Sequence, residues 1–194
     1  MKIGTKSVLF GAHCWFIHPW FVALSWWKLY GFPNDVRLWV AFFVHDIGYI
    51  GLPNMDGREG EDHVFLGARI MGDLFDENMY RRKFFLGKIC DVLYGEKHPK
   101  YWYQFTFYHS RFMAKRYQTS FSKLCVADKL AITLEPWWLY LPRVILTGEI
   151  KEYRGLANEG KYSSMDLSKD GNRQWFESMK EYLRKWIEDN KNVV

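Results

Sequence analysis

The stretch Asp35-Val36-Arg37-Leu38-Trp39-Val40-Ala41-Phe42-Phe43-Val44-His45-Asp46 decides how the rest of the chain is read. Asn34 or Asp35 can cap a helix here, because a short polar side chain accepts a hydrogen bond from the free N–H groups of a first turn. The helix that follows is apolar nearly all round, through Trp39, Ala41, Phe42 and Phe43, as a central buried helix is. It closes on His45 and Asp46. A carboxylate at the end of such a helix needs a cation or strong hydrogen bonds, since an unpaired buried charge is costly. A divalent metal is one solution. An ordinary capped helix end is the other.

Working outward, helical signals dominate. There is no sustained period-2 alternation and no Asn-Gly hairpin, so the fold class expected is all-α. A helix from His18 to Tyr30 starts with Pro19 in its first turn and stops at Gly31. Residues 48–60 carry four glycines, a Pro and an Asn, and read as a loop. Helices are expected over Asp62 to Phe75, Met79 to Tyr94, and from Pro99 through His109 to Lys115. Another, capped by Thr119 or Ser120, runs through Asp128 to Leu134. Pro136 opens a Trp-rich helix that stops near Gly148. Residues 155–171 read as a surface loop, and 172–190 as a C-terminal amphipathic helix packing back on the bundle. The whole of 1–194 is expected to form one domain.

The composition fits a globular chain. Of 194 residues, 48% are hydrophobic and 25% charged, with ten Trp, enough to fill a large core. The formal charge is +5. No long block of like charges occurs, and Arg81-Arg82-Lys83 reads as a solvated face, so no stable nucleic-acid partner is expected. Cys14, Cys90 and Cys125 are widely spaced among apolar residues and read as reduced packing groups, which fits a cytoplasmic protein. The apolar segment from Val8 to Trp27 is interrupted by His13 and His18 and broken by Pro19. It reads as buried core rather than a membrane span. A homo-oligomer is left open.

Further candidates gather around His45 and Asp46. A short turn between two antiparallel helices brings His18, at the start of one, to the end of the other. Asp128 is a carboxylate inside the apolar run Cys125-Val126-Ala127-Asp128-Lys129-Leu130-Ala131 and again needs a partner. Two imidazoles and two carboxylates form a mixed N/O set suited to Mn, Fe, Co, Ni, Zn or Mg. His13 rivals His18 as the first ligand, the alternative being a hydrogen-bonded histidine behind the site. His98, beside Pro99, reads as a surface residue.

The order His18, then Phe43-Val44-His45-Asp46-Ile47-Gly48, then Val126-Ala127-Asp128-Lys129 resembles the HD superfamily of metal-dependent phosphohydrolases. The matching pieces lie within residues 18–131. The resemblance implies an HD-domain helical bundle with a divalent metal held by His18, His45, Asp46 and Asp128. It implies hydrolysis of a small phosphorylated substrate, such as a nucleotide, by metal-activated water. His63 and His109 fall where two-metal members supply extra histidines, so they would hold a second ion or contact phosphate. Where many members carry Lys or Glu after the His-Asp pair, this chain has Tyr49, which brings no charge at neutral pH. Lys129 and Arg111 are then candidates for anion binding. Glu59, Glu61 and Asp62 are candidates for proton transfer or simply solvated acids. Trp102, Tyr103, Trp137, Trp138 and Tyr140 read as core packing before a base-stacking wall. Two alternatives stand beside the hydrolase. One is an HD-type di-iron oxygenase cleaving a C–C or C–P bond with four His and two Asp ligands. The other is a non-catalytic metal-containing binding module.

Overall fold

The computed structural model describes residues 1–76, 85–95, 97–158 and 171–192. These residues form α-helices joined by turns, with no strand among them. In chain order the helices are α1 Ile3–Phe10, α2 His18–Tyr30, α3 Val36–Val44, α4 Val64–Phe75, α5 Phe85–Tyr94 and α6 Tyr101–Phe107. Then come α7 Arg111–Arg116, α8 Lys123–Leu134, α9 Trp137–Thr147, α10 Glu149–Asn158 and α11 Asn172–Asn190. Short 3-10 turns occupy Ile47–Tyr49 and Gly60–His63. No helix among the described residues is long and apolar enough to cross a membrane.

Helix α2 begins where Pro19 predicts and ends at Gly31. Helix α3 is capped by Asp35, whose carboxylate accepts from the Arg37 backbone N–H. The main core gathers Val22, Ala23 and Trp26 of α2, Ala41 and Phe42 of α3, Met71 and Phe75 of α4, and Leu124, Ala127 and Ala131 of α8. Helix α2 lies along α8, and α4 along α6. A second cluster joins α9 and α11 through Tyr140, Leu141, Val144, Trp175 and Phe176. A third seats Leu183 and Ile187 of α11 on Val126 of α8. All three cysteines are buried and unpaired.

Several expectations are corrected. The run from Val8 to Trp27, expected as buried core, leaves Phe10, Phe16, Trp20 and Trp27 more than half exposed. α1 stops at Phe10, and turns over residues 11–17 precede α2. The helix expected from Pro99 to Lys115 is two, broken around His109, because the Ser110 hydroxyl accepts from Met113 N–H and starts α7 afresh. Ser122, not Thr119 or Ser120, stands at the cap of α8. The expected start of α5 at Met79 lies outside the described residues. Of the loop expected over 155–171, residues 155–158 belong to α10, 159–170 lie outside the described residues, and 171 directly precedes α11.

Candidate metal centre

Five chain segments deliver side chains to one point. His18 opens α2, and His45 and Asp46 follow α3, so the outgoing and returning helices meet. Asp128 comes from the middle of α8. His63 ends a 3-10 turn, and His109 lies between α6 and α7. All six side chains are buried. Two glycines permit the approach of α4. A Cβ on Gly48 would stand 1.8 Å from the His63 carbonyl oxygen, and one on Gly67 would stand 2.4 Å from that of Val44. Any larger residue at either position would push His63 away from Asp46.

Asp46 is the shared member of two groups. Its Oδ2 lies 2.9 Å from His45 Nε2 and 3.5 Å from His18 Nε2. Asp128 Oδ1 lies 2.9 Å from His18 Nε2 and 3.8 Å from His45 Nε2. On the other side, Asp46 Oδ1 faces His109 Nε2 at 3.3 Å and His63 Nε2 at 3.8 Å. The donor atoms of His18, His45, Asp46 and Asp128 all fall within 4.8 Å of one another, and so do those of Asp46, His63 and His109.

The hydrogen bonding of the rings tests whether these groups suit a cation. Nδ1 of His45, His63 and His109 lies 3.0, 2.7 and 2.5 Å from the carbonyl oxygens of Phe42, Gly60 and Thr106. A carbonyl only accepts, so each Nδ1 carries the hydrogen, and in the neutral ring Nε2 keeps a lone pair turned to the centre. His63 Nε2 and His109 Nε2 then confront each other at 3.1 Å. Two lone pairs repel at that distance, whereas two nitrogens bound at ~2.1 Å to one ion sit about 3 Å apart. His45 Nε2 and Asp46 Oδ2 are buried, yet neither makes a hydrogen bond despite their closeness. Such orphaned atoms are what a bound cation would satisfy. The buried His/Asp groups thus fit a divalent metal.

The electrostatics agree. Burial drives the imidazole pKa of His63 down to about 3, with His109 adding to the effect. Burial opposes charge on His45 too, but Asp46 and Asp128 outweigh it and push that ring up to about 10 in the absence of a cation. Burial alone would raise the two carboxyls. His45 and His13 instead hold Asp46 well below its usual range, and Lys129 and His18 do so for Asp128.

His13 stands behind this centre. Its Nε2 is 4.0 Å from Asp46 Oδ2, and its Nδ1 is 2.9 Å from Ser7 Oγ. Ser7 gives its one hydrogen to Glu149 Oε2 at 2.8 Å, so His13 Nδ1 donates to Ser7 and Nε2 is left as an acceptor. Glu149 is fully buried and also receives hydrogen bonds from Thr147, Tyr153 and the Ala12 backbone. Burial lowers the His13 pKa to about 4. Sequence reasoning missed Glu149 and Ser7, since an acid opening a helix after Gly148 looks like any first-turn carboxylate.

A cavity of about 140 Å³ opens beside the centre, lined among others by His13, His18, Tyr49, Arg111, Lys129 and Tyr182. Lys129 Nζ pairs with Asp128 Oδ2 at 2.8 Å. Arg111 stacks over Trp186, 5.0 Å from the ring centre, and makes no ion pair among the described residues. Tyr49 is buried, stacked 4.0 Å from the His63 ring and tilted 4.8 Å from that of His13. It holds both imidazoles in place. Glu59 accepts from Asn54 at the surface, Glu61 accepts from Ser110, and Asp62 is exposed. His98 is exposed. Of the aromatic candidates, Tyr140 lines the cavity, Trp102 is in the core, and Trp137 and Trp138 are exposed.

The chain matches no family model, no curated protein and no solved structure among those compared. What it shares with the HD superfamily is therefore this His/Asp cluster in an all-helical fold, which is compatible with such a domain.

Proposed function

We propose that this chain is a metal-dependent phosphohydrolase of HD type, with two divalent ions sharing Asp46. The observation that carries the reading is the paired donor groups on either side of the Asp46 carboxylate. His18, His45, Asp46 and Asp128 would hold one ion, and Asp46, His63 and His109 the other. Four imidazoles among six donors suit Mn, Fe, Co, Ni or Zn better than Mg. Such ions, when bound, supply Lewis acidity toward phosphoryl oxygen and lower the pKa of water.

The protein's own residues supply the rest. Arg111 lines the cavity and makes no ion pair among the described residues, so it would take an anionic group entering there, and its fork suits phosphate. Lys129 is engaged by Asp128 and keeps that carboxylate ionised. The His13 Nε2 lone pair, fixed by Ser7 and Glu149, would accept a hydrogen bond from a water or hydroxyl entering the cavity. Tyr49 fills space between His13 and His63 and excludes solvent from their flanks. Small phosphomonoesters and nucleotides are the substrate class this favours. The test is a phosphate-ester screen on protein loaded with Mn, Co, Ni or Zn. The reading expects phosphate release that vanishes in Asp46→Ala and Asp128→Ala while helical circular dichroism survives. Full activity in either variant contradicts it.

One observation favours a second reading. Four His and two Asp in this arrangement also match the ligand count expected of an HD-type di-iron oxygenase. Iron retained on purification, with substrate-dependent oxygen consumption and no phosphate release from esters, would select it.

A further inference from the structure

Helix α2 has two faces. His18, Val22, Ser25 and Trp26 are buried, while Trp20, Leu24 and Trp27 follow one another at helical spacing on the outside. Phe16 before the helix and Phe32 after it extend the outer stripe, and Phe16, Trp20, Trp27 and Phe32 each leave more than half of their surface exposed. Ring contacts tie together each end of the stripe, with Leu24 at helical spacing between them. Ring centres of Phe16 and Trp15 are 5.2 Å apart, Trp15 and Phe43 5.5 Å, Phe43 and Trp20 5.5 Å, and Trp27 and Phe32 5.7 Å.

At ~200 Å² per side chain, the exposed parts of Trp15, Phe16, Trp20, Leu24, Trp27 and Phe32 amount to roughly 600 Å². The largest apolar patch of an ordinary monomer is about 300–600 Å². Each partner of a stable dimer contributes about 800 Å². The patch therefore sits at the top of the range for a monomer and at the lower end, about 600 Å², of what one partner of a specific interface contributes. Between Lys6 and Arg37 the sequence has a single cation, Lys28. A helix that lies on a bilayer carries a Lys/Arg-rich rim, so this nearly neutral face suits a second protein surface better than lipid. A self-complementary patch meets its own copy about a two-fold axis.

We propose that the chain forms a two-fold homodimer in which the Phe16–Trp20–Leu24–Trp27–Phe32 stripe packs against the same stripe of a second copy. Light scattering of the full chain at tens of micromolar tests it. Wild type is expected at twice the 23.3 kDa chain mass. Trp20→Glu/Trp27→Glu is expected at the single-chain mass with unchanged helical signal. If the charged variant does not fold, Trp20→Ala/Trp27→Ala is expected to weaken the dimer at least tenfold. Phe85→Glu/Val92→Glu, on the exposed face of α5, is expected to remain dimeric. The proposal is overturned if wild type runs as a single chain, including the case in which it instead floats with phosphatidylcholine vesicles. It is also overturned if the α2 variants keep the doubled mass, or if the α5 variant dissociates as well.

Discussion

Without a cation, His45 sits against Asp46 and Asp128, and its pKa rises from 6.5 to about 10 despite burial. The ring is then protonated at neutral pH, and a metal taking Nε2 must expel that proton. Calorimetry at pH 7.5 in buffers of different ionisation enthalpy is expected to show about one proton released on filling the His18/His45 group. The same shifts set the pH profile of the metal-stripped protein. His13 and His63, lowered to about 4 and about 3, stay neutral in the fold while the unfolded chain takes up protons below 6.5. Stability therefore falls as pH drops from 6.5 toward those values. His45 works in the opposite sense: its contribution is complete below 6.5 and is lost as pH rises toward about 10. Melting of chelated protein is thus expected to be highest near pH 6.5. Arg111→Ala is expected to reduce kcat/KM about 10- to 100-fold, chiefly through KM, because a charge-assisted hydrogen bond is worth about 1.5–3 kcal/mol. The six central residues were legible because His and Asp are conspicuous inside apolar runs. Glu149 and Ser7 were not. Their partnership joins distant parts of the chain, and neither residue is unusual where it stands.

At the scale of elements, α3 is fastened by a residue its local sequence does not advertise. Arg37 is wholly buried, paired with Asp35 and Asp91, donating to the Gly95 carbonyl and lying 4.8 Å over the Trp102 ring. It ties α3 to α5 and α6, and so holds the end that carries His45 and Asp46. Arg37→Ala removes a wholly buried guanidinium from two half-buried carboxylates, the Gly95 carbonyl and the Trp102 ring, and is expected to cost about 3 kcal/mol. Melting would fall by about 6–12 °C. Helices with local punctuation were readable: Pro19 and Gly31 bound α2, and Pro136 and Gly148 bound α9. Helices without it were not. Helix α1 merges into the apolar run that follows, and the last residues of α10, 155–158, read as loop because they are polar and begin with Gly155. The break at His109 has a local signal, Ser110 as a cap, that apolar continuity obscured.

For the whole molecule, α11 does more than close the bundle. Its Trp175, Met179, Tyr182 and Leu183 form part of the cavity wall, and Leu183 and Ile187 rest on Val126, two residues from Asp128. Leu183→Ala is expected to destabilise the fold by about 2–5 kcal/mol in denaturant titration and to loosen the cavity on one side. The all-α architecture followed from periodicity alone. The convergence of five segments on Asp46 depends on packing, and the close approaches at Gly48 and Gly67 that make it possible have no sequence signature beyond two glycines. That convergence is measured most directly by counting metal per chain, by mass spectrometry of elements, after loading and desalting. The account predicts two ions in wild type, one in His63→Ala/His109→Ala, and none in Asp46→Ala, with helical content intact throughout. Two ions retained by Asp46→Ala, or none bound by wild type, would contradict it.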